Sequence, residues 1–104
     1  MKKDLNILLV CGSGASSGFM AANIRKAAKA RDLQFTVAAR SDSEIPNYVD
    51  EVDLIMVGPH MEFILEEVRD WIDEYPELKV ELMKGDYYSH LDGEKALEHI
   101  LELY

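Results

Sequence analysis

The chain holds a single cysteine, Cys11, in a position where a thiol can do chemistry. A short apolar run, Leu5-Asn6-Ile7-Leu8-Leu9-Val10, leads into it, and Gly12-Ser13-Gly14-Ala15-Ser16-Ser17-Gly18 follows at once. After that comes a helical pattern. A strand ending in a thiol, then a loop of small residues, then a helix start, holds an anion beside sulfur. Loop N–H groups and the positive end of the helix dipole converge on one spot. The same field favours thiolate over thiol, which makes Cys11 a nucleophile near neutral pH. Phosphoryl chemistry on sulfur is the expectation. A buried cysteine before an ordinary Gly/Ser turn is the bland alternative, and spacing alone leaves it open. Against it, Cys11 closes the run instead of lying inside it, and three glycines and three serines in seven positions exceed what a turn needs.

Two other phosphate loops fit less well. A Walker loop requires Gly-Lys-Ser/Thr, and no lysine occurs from position 4 to position 24. A cysteine phosphatase loop places arginine six residues after the cysteine, where this chain has Ser17. Without a guanidinium on the equatorial oxygens, water attack on a thiophosphate loses its main electrostatic support. The loop is therefore suited to hold a phosphoryl group and pass it on.

Further candidates are few. Gly58, Pro59 and His60 follow an apolar run and form a candidate accessory group, with His60 either assisting transfer or simply exposed. His90 and His99 read as loop and helix-surface residues. The three histidines lack metal-ligand spacing, so no metal is expected. Glu62, Glu66, Glu67, Asp70, Asp73 and Glu74 read as a solvated helix face, with Trp71 and Ile72 in the core. Tyr87 and Tyr88 read as core or loop packing near the site.

These residues must be positioned by a frame. Leu5–Val10 reads as a strand buried on both faces. Phe19 to Ala30 reads as an amphipathic helix, with Met20, Ile24, Ala27 and Ala28 on one face. Gln34 to Ala39 is a second strand, and a polar loop with one helical turn around Ile45 to Val49 follows. Asp53 to Val57 is a third strand. His60 to Tyr75 reads as one helix stopped by Pro76. Lys79 to Met83 is a fourth strand, Lys84 to Gly93 a loop, and Glu94 to Tyr104 a last helix with Asp92 as its N-cap. Such alternation predicts an α/β fold, a four-stranded parallel sheet with helices on both faces. Ligands bind at the carboxyl ends of such strands, where Cys11 and Gly58-Pro59-His60 both fall.

Bulk properties narrow the function. The 104 residues, 48% hydrophobic, suit one domain over 1–104 with its own core. Twenty acidic against eleven basic residues give a net charge of −9, which argues against nucleic-acid binding. A lone cysteine fits a reducing compartment and excludes a CxxC redox pair. No segment reaches the roughly 18 apolar residues of a membrane span, and the Met1-Lys2-Lys3 start is not followed by an export signal. A cytoplasmic protein without direct membrane insertion is expected, and no cofactor is called for.

Strand-Cys-x-x-Gly-x-Ser-Ser, Val-Gly-Pro-His at the third strand, and Asp86-Tyr87-Tyr88-Ser89-His90-Leu91-Asp92-Gly93-Glu94-Lys95-Ala96 together resemble a known family. It is the IIB component of the sugar phosphotransferase system, in its lactose/cellobiose/chitobiose branch. The resemblance spans nearly the whole chain. It implies that Cys11 is transiently phosphorylated and that Gly12, Ser13, Gly14, Ala15, Ser16, Ser17 and Gly18 form the phosphate-binding loop. It implies a phosphohistidine IIA protein as donor and a sugar held by the membrane component IIC as acceptor. A monomer lying at the inner face of the membrane through IIC is the matching expectation. The alternatives are a hydrolase like the low-molecular-weight cysteine phosphatases and a non-catalytic, flavodoxin-like anion-binding or regulatory module.

Overall fold

The computed structural model describes residues 4–10 and 15–104. Four strands, β1 (Asp4–Val10), β2 (Gln34–Arg40), β3 (Leu54–Val57) and β4 (Lys79–Leu82), form one sheet in the order β2-β1-β3-β4. Every pairing is parallel, as the alternating order predicts. The two central strands are the most apolar. Leu8, Leu9, Val10 and all four residues of β3 are fully buried. Side chains alternate between two cores. Leu5, Ile7, Leu9, Leu54 and Met56 face one side. Leu8, Val10, Ile55 and Val57 face the other.

The first side is covered by α1 (Ala15–Ala30), α3 (Gly85–Ser89) and α4 (Gly93–Glu102). Met20, Ala21, Ile24, Ala27 and Ala28 form the buried stripe of α1, and its three alanines let the helix lie close to the sheet. Its partner α4 approaches even more closely. A Cβ added at Gly93 would lie 2.4 Å from the backbone of Asn23, so only glycine fits this crossing. The Asp92 carboxylate accepts the Lys95 N–H at 3.2 Å and caps α4, as expected.

The second side is covered by 3-10 turns at Asp42–Asn47 and Pro59–Ile64 and by α2 (Leu65–Trp71). Here the expected single helix from His60 to Tyr75 is broken. Proline at the start favours a tight turn, and Met61 leaves helical geometry at φ −115°, ψ 27°. The apolar stripe survives the break, since Met61, Ile64, Val68 and Ile72 are all buried. Trp71 is 37% exposed, so its placement in the core is corrected. The stretch from Lys84 to Gly93 is not all loop, because it contains α3. That helix has five residues, too few to be visible as a periodicity. No helix among the described residues is long and apolar enough to cross a membrane.

Candidate functional site

All four strands end at one level. Val10 is in register with Arg40 of β2 and Val57 of β3, and Val57 is in register with Leu82 of β4. Two hydrogen bonds continue this edge past the strands. The Gly58 N–H donates to the Val10 carbonyl at 2.9 Å, and the Met83 N–H donates to the Val57 carbonyl at 2.7 Å. Gly58 is therefore pinned beside the last residue of β1, the one that precedes Cys11. Cys11, Gly12, Ser13 and Gly14 themselves lie outside the described residues. The backbone resumes at Ala15 as the first residue of α1, so the helix starts four residues before the expected Phe19, and Ala15, Ser16, Ser17 and Gly18 form its first turn instead of lying in a loop. Their N–H groups have no acceptor within the helix. No acidic residue stands in this turn to cancel the dipole. A Cβ at Gly18 would meet nothing within 4 Å among the described residues.

Behind Gly58, Pro59 is half-buried and His60 is exposed. The His60 ring packs on Tyr88 of α3 with centroids 5.9 Å apart and planes at 48°. The accessory group Gly58-Pro59-His60 thus shares the carboxyl edge with the end of β1, and Tyr88 joins it from α3, which follows β4. Tyr88 is half-buried and Tyr87 is buried, in line with the packing expected of them.

Sequence reasoning passed over two residues. Arg40 was placed in a polar loop, yet it closes β2 beside Val10. Its Nε donates to the Tyr48 hydroxyl at 2.9 Å, and the guanidinium lies 5.7 Å from the centroid of the Tyr48 ring. The hydrogen bond to Tyr48, then the Tyr48 charge, push its already high pKa further up, so this edge keeps a fixed positive charge. Parallel pairing of β1 with β2 was the signal that could have found it. The second residue is His99, read as a surface residue and corrected here. It is 6% exposed. Its Nδ1 lies 2.7 Å from the Tyr87 hydroxyl, and its Nε2 lies 3.1 Å from a Glu81 carboxylate oxygen. The spacing with Ala96 and Ile100 on one helical face was the available sign.

This arrangement has relatives. A family model described as "PTS system, Lactose/Cellobiose specific IIB subunit" matches residues 6–99. The chain is 29% identical over 103 residues to the PTS system oligo-beta-mannoside-specific EIIB component of Bacillus subtilis (strain 168), covering 99% of this chain and 96% of that protein. It is 25% identical over 101 residues to the PTS system lactose-specific EIICB component of Lacticaseibacillus casei. There the match covers 95% of this chain but only 17% of the longer protein. The fold is similar to that of the lactose-specific IIB domain of the phosphoenolpyruvate:carbohydrate phosphotransferase system from Streptococcus pneumoniae. The TM-score is 0.86 at 22% identity, over 98% of this chain and 99% of that one.

Proposed function

The chain belongs to the lactose/cellobiose-specific IIB family of the PTS, a family of phosphotransferases, and on that premise we propose that Cys11 is the residue that carries the phosphoryl group. The observation that supports this most is the alignment at the carboxyl edge. Cys11 is the residue after Val10, whose carbonyl is tied to Gly58, and α1 begins four positions later. In sequence, the thiol falls between the end of β1 and the start of α1.

The chemistry is two displacements. In the first, the Cys11 sulfur attacks phosphorus on a phosphohistidine of a IIA protein. The S–P bond forms as the P–N bond breaks, and the imidazole leaves with the electron pair. In the second, a sugar hydroxyl on IIC attacks the same phosphorus. The O–P bond forms, the S–P bond breaks, and thiolate is regenerated. The hydroxyl proton goes to a base on the membrane partner. Gly12 to Gly18 and the start of α1 stabilise the equatorial oxygens in both steps. Sulfur leaves as readily as it attacks because its thiolate is stabilised by the same dipole. The fused EIICB relatives support a IIC partner for this chain.

Docking surfaces suit this reading. Phe19 is 65% exposed in α1, and Phe63 is 79% exposed in the turn leaving β3. Both belong to segments that leave the carboxyl edge. Large aromatics held in water serve as anchors for a partner surface. The test is to incubate the protein with phosphoenolpyruvate, the general phosphotransferase proteins and a IIA protein. Tandem mass spectrometry should then locate one phosphoryl group, acid-stable and iodine-sensitive, on residue 11. Phosphate on a histidine of this chain in place of residue 11 would overturn the proposal.

A further inference from the structure

His99, Tyr87 and the part-exposed Glu81 make a polar relay that joins α4, α3 and β4 at the edge of the apolar core. Its hydrogen atoms can be assigned by elimination. The Glu81 carboxylate only accepts, so His99 Nε2 carries a proton toward it. In the neutral ring Nδ1 is then an acceptor, and the Tyr87 hydroxyl donates to it. Burial pushes the Tyr87 pKa up to about 12, so that hydroxyl keeps its proton. Neutral His99 with hydrogen on Nε2 satisfies all three groups.

The relay matters because of where α3 sits. This helix has five residues and cannot hold itself together. Tyr87 is its one buried side chain, and His99 is the polar partner of that side chain. The next residue, Tyr88, packs on His60, two positions beyond the Gly58 that is bonded to Val10. We infer that His99 is a positioning residue for phosphoryl transfer: acting through Tyr87, it fixes α3 and with it the Tyr88–His60 contact at the rim of the Cys11 site. This rests on the phosphocarrier reading above. The other charged groups facing the relay are Lys84 and Asp86 from the start of α3 and Lys95, Glu98 and Glu102 from α4.

Tyr87→Phe removes one hydroxyl and keeps the ring. His99→Gln keeps a donor for Glu81 and loses the Nδ1 acceptor. The Cys11 phosphorylation rate from a phosphorylated IIA protein is measured, while the His60 imidazole resonance is followed by NMR. In both variants the rate should drop about fivefold, the effect of one lost buried hydrogen bond. The His60 resonance should move in Tyr87→Phe. Variants that match the wild-type rate overturn the inference. If His99→Gln does not fold, Tyr87→Phe decides. If wild-type Cys11 accepts no phosphoryl group, the phosphocarrier reading fails by itself. The His60 resonance then decides the positioning role, and an unmoved resonance in Tyr87→Phe refutes it.

Discussion

At the scale of single residues, sulfur chemistry and tyrosine burial make separate demands. Serine at position 11 is a far weaker nucleophile at neutral pH and forms a phosphoester that transfers poorly. Cys11→Ser should therefore abolish sugar phosphorylation while circular dichroism and the melting temperature stay as in the wild type. Tyr104 is the clearest titrating residue away from the site. Its hydroxyl donates to the Asp53 carbonyl at 3.2 Å, and burial, then the Asp53 charge, push its pKa from 10.0 up to about 12. A raised pKa means that the folded state holds the proton more tightly than the unfolded chain. Stability is then complete below about pH 10 and falls as pH rises toward 12, since the unfolded state ionises first. Denaturant melts at pH 8 and pH 11 should show this loss in the wild-type protein. Tyr104→Phe should lose less across the same interval, and an equal loss would assign the alkaline transition elsewhere.

At the scale of elements, the α1–α4 crossing is the tightest joint in the fold. Gly93→Ala pushes a methyl group into the Asn23 backbone and should destabilise by about 1–3 kcal/mol. Asp92→Ala next to it removes the cap of α4 and should cost about 1 kcal/mol. Equal melting temperatures for Gly93→Ala and wild type would mean that the helices separate freely. The sequence was legible where one period dominates. The apolar runs of β1 and β3 each predicted a strand in the right place, and the Met20–Ile24–Ala27 stripe predicted α1 but not its start at Ala15. It was not legible where length fell below a period or where a partner decided the outcome. Five residues of α3 carry no pattern, and the kink at Met61 comes from a proline-led turn that preserves the apolar stripe. His99 looked superficial because its own helix is amphipathic in charge as well as in hydropathy. Its burial depends on Tyr87 and Glu81, which come from other elements. Of the candidate site, the end of β1 was legible, whereas the start of α1 lies within the small-residue run that reads as loop. The company of Arg40 and Tyr88 at that edge follows from strand order, which no local pattern encodes.

At the scale of the whole molecule, net charge and exposed aromatics describe the partner. The chain carries −9, and the exposed Glu62, Glu66, Glu67 and Asp70 lie near Phe63 in sequence, with Arg69 the one exposed cation among them. An apolar anchor in an acidic field fits a partner with an apolar recess inside a basic ring. Phe63→Ser should therefore raise the KM for a phosphorylated IIA protein about tenfold, with no loss of thermal stability. Transfer by the wild-type protein should slow as salt rises from 50 to 500 mM, roughly in step with the shrinking Debye length. A salt-independent KM would place recognition in apolar contact alone. The central claim is that this sheet exists to hold one thiol where a phosphoryl group can arrive and leave. Its most direct measurement is the mass of the tryptic peptide containing residue 11 after incubation with phosphoenolpyruvate, the general phosphotransferase proteins and a IIA protein. One added phosphoryl group on Cys11, discharged when membranes bearing a cognate IIC and its sugar are supplied, is the predicted result. An unmodified Cys11 beside a fully phosphorylated IIA protein would contradict it.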